Sequence, residues 1–215
     1  MKDKPPKRTE RKRQRNRTEI LESARHQIRE NGLGQFSLAS VADAVGLTKP
    51  ALYYYFKNRE ALVFEVLLEE WTRSAQAVAD AVEKTDTGAG ALRALNASYV
   101  GYFADDLPLF DLVQHGVQQM DVKAMLVPEQ IQRIRPLNDL LYGGTERRLR
   151  ADADAGLITL VDDPRRLAFI AHAMAIGVLS IKSMVDQAGD PLIHSDAELL
   201  HTLGALLDAG AERTT

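Results

Sequence analysis

Apolar residues recur at helical spacing along nearly the whole chain. Ile20, Leu21, Ala24 and Ile28 form a first stripe, and Asn31-Gly32 supplies its stop. Thr18 is placed as the N-cap of that helix, with Glu19 and Glu22 in the first turn, where the helix dipole favours negative charge. Beyond Gly32-Leu33-Gly34-Gln35-Phe36, Ser37 is placed to cap a second helix whose stripe is Leu38, Val41, Ala42 and Val45, ending at Gly46. Thr48 caps a third, short helix (about 48–55) with Pro50 in its first turn, where a missing N–H costs nothing. Leu52 and Phe56 face inward, and Tyr55 falls beside them on the helical wheel. Further helices are predicted over about 59–82, 89–104, 107–118, 128–154, 163–187 and 195–211. Gly88-Ala-Gly90 and Ala188-Gly-Asp-Pro191 read as connectors, and Gly143-Gly144 as a bend or break. No stretch sustains strand-like alternation, so the pattern predicts an all-α fold.

The second and third helices carry a specific geometry. Two short helices joined by a turn containing Gly, with small Ala42 near their crossing, form a helix-turn-helix arrangement. The first helix must pack closely across the second, leaving the outer face of the second free for a DNA major groove. On that face Lys49 can donate to guanine O6 and N7, and the Thr48 hydroxyl can reach a base or phosphate. Pro50 and Ala51 are small or apolar enough to touch a thymine methyl. Tyr53 and Tyr54 offer hydroxyls at phosphate distance, and Lys57 adds a point charge.

Charge sharpens this division. The 215 residues carry a net charge of −3, but residues 1–60 hold 14 Lys and Arg against 7 Asp and Glu, and residues 61–215 hold 13 against 23. A basic head joined to an acidic body points the head at a polyanion. Residues 1–17 contain nine Lys and Arg and almost nothing apolar. They read as a flexible phosphate-contacting arm ending at Arg17. The chain has no Cys, which excludes disulfides and thiol chemistry. No apolar leader follows the basic start, and the longest apolar run, Leu167–Ile181, is interrupted by His172 and falls short of a membrane span. A cytoplasmic protein with no membrane partner is expected.

The stretch 36–62, and above all its core Val45-Gly-Leu-x-x-x-Ala-Leu-Tyr-x-x-Phe-Lys-Asn-Arg59, resembles the DNA-binding domain of TetR-family transcriptional regulators. The likeness covers roughly residues 14–74. It implies Ser37, Tyr53 and Lys57 on the DNA backbone, and Thr48, Lys49 and Tyr54 nearer the bases. It also implies that the remainder is a helical ligand-binding and dimerisation domain. The expected organisation is therefore an arm (1–17), a three-helix helix-turn-helix DNA-binding domain (18–62) and a C-terminal helical ligand-binding and dimerisation bundle (63–215).

Within that bundle, aromatic and soft side chains concentrate in the central helices: Trp71, Tyr99, Tyr102, Phe103, Phe110, Met120, Met125, Tyr142, Phe169 and Met174. An apolar cavity with a few polar groups is the usual ligand-site geometry between helices. Here His172 is available as a polar group, and His115 with the glutamines Gln114, Gln118 and Gln119 either supplies polar contacts or faces water. A small, largely hydrophobic effector is expected. A short helix-turn-helix makes few contacts, so a two-fold dimer on a palindromic double-stranded operator is expected too. The helix around 167–181 is apolar on nearly every face, with small Ala171, Ala175 and Gly177 beside Val178. Leu199, Leu203 and Leu206 stripe the last helix, and the two helices are the expected dimer interface. No pair of His residues has metal-ligand spacing, and no nucleophile or phosphate-loop motif is present. Asp105-Asp106 and Asp162-Asp163 read as helix caps. The expectation is a DNA-binding regulator, a repressor released by its effector, with no catalytic residue, metal or cofactor; the alternative is a dimeric regulator with no small-molecule inducer.

Overall fold

A computed structural model of the chain describes residues 8–116, 126–188, 194–209 and 211–213. The described residues form α1 (Arg8–Gln35), α2 (Leu38–Ala44), α3 (Lys49–Tyr55), α4 (Arg59–Glu83), α5 (Gly88–Phe103), α6 (Leu107–His115), α7 (Pro128–Asp154), β1 (Ile158–Leu160), α8 (Pro164–Ala188), α9 (Asp196–Ala209) and β2 (Ala211–Arg213). The all-α expectation holds, with one short addition: β1 and β2 pair antiparallel, Thr159 opposite Glu212. Periodicity over three residues is too short to announce a strand.

The helices divide into two compact units. One runs to Glu69 and includes Leu112–Val127; the other comprises Glu70–Asp111 and Pro128 onward. The division thus falls seven residues beyond the expected 62/63, and the end of α6 groups with the first unit.

In the first unit the predicted stripes are the core: Ile20, Leu21, Ala24, Ile28, Leu38, Val41, Ala42, Leu52 and Phe56 are buried. The caps form as read. Ser40 N donates to Ser37 Oγ at 3.1 Å and Ala51 N to Thr48 Oγ1 at 3.3 Å. Gly46, at φ 65°, closes α2 in a Schellman turn: its N–H bonds Asp43 O, and Leu47 N bonds Ala42 O. A side chain at Gly46 would be strained, because that φ suits glycine. Gly32 (φ 71°) breaks α1 near its end, where the stop was expected. The start of α1 differs. The helix begins at Arg8, so residues 8–17 are helical rather than a coil, and Thr18 lies mid-helix with its Oγ1 donating to Gln14 O at 3.2 Å. Back-bonding of this kind lets a threonine sit inside a helix, although the same side chain favours a cap.

In the second unit α5 packs on α7, α8 and α9, and α7 packs on α8. Gly88 N at the start of α5 donates to Asp152 Oδ2 near the end of α7, at 2.7 Å, so the two helices run antiparallel. The expected break at Gly143-Gly144 is absent, and α7 continues through it. These glycines serve packing instead: a Cβ on Gly144 would come within 3.0 Å of Val82. The acidic pairs cap as expected, with Asp106 Oδ1 accepting from Leu109 N and Asp163 Oδ1 from Arg165 N and Arg166 N. The apolar segment of α8 is longer than read from sequence. Pro164–Asp186, 23 residues, is long and apolar enough to cross a membrane by length and composition. A limit at Ile181 stops short of Met184 and Val185. In the fold, Ala168, Ala171, Ala175 and Leu179 of this helix are buried in the protein core.

Candidate functional site

The outer face of α3 is open. Thr48, Lys49, Pro50 and, just beyond the helix, Lys57 are exposed, and Ala51 is half-buried. Tyr53 and Tyr54 are 45% and 68% exposed, unusual for aromatic side chains without a partner surface. Ser37 is half-buried and already engaged as the α2 cap. Tyr55 turns inward as expected, its hydroxyl accepting from Asn16 Nδ2 at 3.1 Å. Arg17 departs from expectation. It is half-buried, pairs with Glu65 and lies 5.5 Å from the Phe56 ring centroid, so it braces the unit rather than extending toward a phosphate.

Two residues without an assigned role shape this face. Arg13 stacks 5.5 Å over the Tyr54 ring, tying the basic start of α1 to α3. Arg59 donates to the carbonyls of Leu33 and Phe36 and covers the Phe36 ring, anchoring the start of α4 to the turn before α2. The first gave no signal because an arginine in a basic run looks like every other one. The second stood inside the quoted motif but points back into the fold.

In the second unit, seven of the nine candidate ligand residues come together. Tyr99, Phe103 and Phe110 are buried, in edge contact along one row with centroids 5.2 and 5.7 Å apart. Tyr102 packs on Phe103 and donates to Glu70 Oε2 at 3.1 Å; Trp71 is half-buried in the same unit. His172 sits 4.3 Å from the Tyr99 ring centroid, and its Nδ1 hydrogen-bonds the Tyr142 hydroxyl at 2.8 Å. Phe169 is 53% exposed beside Tyr142. His115 belongs to the first unit with Gln114. Gln118, Gln119, Met120 and Met125 lie outside the described residues.

Burial keeps this layer uncharged. It pushes the His172 imidazole down to about 4, the Tyr142 phenol up to about 12 and the Tyr99 phenol up further still. Tyr142 also lines an open pocket of about 440 Å³ with Asn138, Asp163, Arg165, Arg166 and Phe169. The Arg165 guanidinium is held there by Glu146 at 2.7 Å and Asp139 at 3.3 Å.

Residues 20–66 match the family of bacterial regulatory proteins called the tetR family. The chain is also similar to two proteins of Pseudomonas putida, the HTH-type transcriptional regulator TtgR and the probable HTH-type transcriptional regulator ArpR. Each is 32% identical over 79 residues, and each match spans 37% of this chain and 37% of the relative. Residues 20–66 are a TetR-family segment. Solved structures carry the likeness in fold along nearly the full length of the chain. A protein of unknown function from Rhodococcus sp. RHA1 superposes with a TM-score of 0.71 at 20% identity, covering 92% of this chain and 96% of that one. The transcriptional regulator FadR from Bacillus subtilis, solved in complex with stearoyl-CoA, gives 0.66 at 20% identity, covering 90% and 98%.

The expected interface helices of this chain divide differently from the sequence reading. Ala171 and Ala175 are completely buried within the single chain, and Asn96 Nδ2 reaches Ala171 O at 3.0 Å. Their small size brings α8 close to α5 rather than to a second copy. Val178, Leu199 and Leu203 are half-buried, and Leu206 is exposed. The open face of α8 carries Ile170, Ile181 and Met184 instead, at spacings of 11 and 3 residues that return to one side of a helix.

Proposed function

We propose that this chain is a dimeric, effector-responsive DNA-binding regulator, and that its DNA-bound form represses transcription. The observation that carries this reading is the α3 face, where Lys49, Tyr53 and Tyr54 stand exposed on a helix held by a rigid capped turn. A palindromic operator would receive two such helices about one DNA turn, ~34 Å, apart. Phosphate contacts would come from Tyr53, Lys57 and the basic start of α1, and base contacts from Thr48, Lys49, Pro50, Ala51 and Tyr54. The second copy would dock on the apolar face of Ile170, Ile181 and Met184 together with Leu206 of α9. The effector would enter the aromatic layer of the second unit and favour a state with lower operator affinity, which requires only that it bind the two states unequally. The buried row Tyr99, Phe103 and Phe110 favours one alternative, a regulator with a filled core and no inducer.

Selection of binding sites from random DNA tests the first part. A palindromic consensus is expected, and Lys49→Ala should lose roughly tenfold or more on that site while keeping its affinity for random DNA. Equal losses on both would remove Lys49 from base reading.

A further inference from the structure

The layer between α5, α7 and α8 contains three buried polar atoms that no group among the described residues answers. Asn96 uses its amide nitrogen on Ala171 O and leaves Oδ1 without a partner. Thr145 is completely buried, and its Oγ1 has no partner. His172 shares Nδ1 with Tyr142, and its Nε2 has none. These atoms fall within about one helical turn of the same level of the bundle. Asn96 lies one turn before Tyr99 on α5, and Thr145 lies one turn after Tyr142 on antiparallel α7. Tyr99 and Tyr142 both contact His172. Native interiors pair nearly all their polar atoms, so three orphans near one level need a reason.

We propose that Asn96, Thr145 and His172 form the head-group end of the effector site, and that the effector is a neutral molecule with an apolar or aromatic body and a head that both donates and accepts hydrogen bonds, such as a primary amide or phenol. Tyr142 is the gate: swinging away from His172 opens the layer to the pocket that Tyr142 and Phe169 already line. The proposal rests on reading the second unit as the effector domain.

The chemistry of the level selects the head. Asn96 Oδ1 accepts only, while the Thr145 hydroxyl can donate or accept, so a head with both capacities satisfies them together. No Lys or Arg among the described residues is buried, so a carboxylate would find no countercharge at this level. Arg165 is held by Glu146 and Asp139, Lys182 by Asp196 and Arg93 by Asp208, and each lies at the rim of the unit rather than among its buried residues. A purely apolar ligand would leave all three atoms unanswered.

Thermal unfolding of the full chain with three matched probes tests the assignment: 4-propylbenzamide, 4-propylbenzoate and propylbenzene. The amide is expected to raise the melting temperature, and the other two to leave it in place. Thr145→Val is expected to melt higher than the native chain when free, because it removes an unanswered hydroxyl, and to bind the amide roughly fivefold more weakly. Benzoate or propylbenzene matching the amide, or unchanged amide affinity in Thr145→Val, overturns the head-group assignment while leaving an effector site in the second unit. No shift from any of the three probes overturns the proposal together with the effector-domain reading.

Discussion

His172 stands out in the sequence because it interrupts an apolar helix, and the fold shows what that position does to it. The ring is enclosed by Tyr99 and Tyr142, and burial lowers its affinity for a proton to about 4. The unfolded chain binds a proton near the ordinary value of 6.5. Unfolding therefore takes up a proton between these values, so this contribution is complete above about 6.5 and is lost as the pH falls toward about 4. The span of the shift corresponds to roughly 3 kcal/mol at most. Melting temperatures measured from pH 7 down to pH 5 should fall for the native chain and fall less for His172→Gln; parallel curves would mean that His172 keeps its proton in the fold. Asn96 and Thr145 gave no comparable signal. A single polar residue on an amphipathic helix reads as solvent-facing, and only packing on every side turns it into an orphan costing about 1–3 kcal/mol.

Among the elements, α1 differs most from its sequence reading. A run of Lys and Arg without apolar partners reads as coil. Here it is helical because the turn from Arg13 to Arg17 finds partners elsewhere in the unit: Tyr54 for Arg13, Tyr55 for Asn16, and Glu65 with Phe56 for Arg17. Those contacts leave Arg8, Arg11, Lys12 and Arg15 exposed on a fixed helix beside α3. Replacing Arg11 and Lys12 with Ala should weaken binding to operator and random DNA alike, and reduce the slope of log affinity against log salt by about 1–2. An unaltered slope would make this part of α1 a brace with no phosphate contact. α8 teaches the opposite lesson. Its apolar character was legible, but a helix apolar all round does not say which side meets its own core. Ala171 and Ala175 went inward because only small residues let α8 lie close to α5, and Ile181 and Met184 were left outside.

Taken as a whole, the molecule keeps the charge division seen along the chain, a basic first unit and an acidic remainder. Among the described residues Ile181, Met184 and Leu206 are apolar side chains each about three-fifths exposed. Exposed apolar side chains of this kind fit the docking of a second copy. Ile181→Glu combined with Met184→Glu should convert a dimer into monomers in sedimentation at micromolar concentration. It should also reduce operator affinity far more than random-DNA affinity, since two half-sites must be held together. A double variant that stays dimeric would place the interface elsewhere. By itself the sequence determined most of the helices, the Ser37 and Thr48 caps and the open outer face of α3, because these depend on residues within a few positions of one another. The tertiary structure decided which side of α8 is core, that α1 is helical from Arg8, and that three buried polar atoms between α5, α7 and α8 have no partner among the described residues. Each depends on contacts between residues far apart in the chain, which local periodicity does not encode.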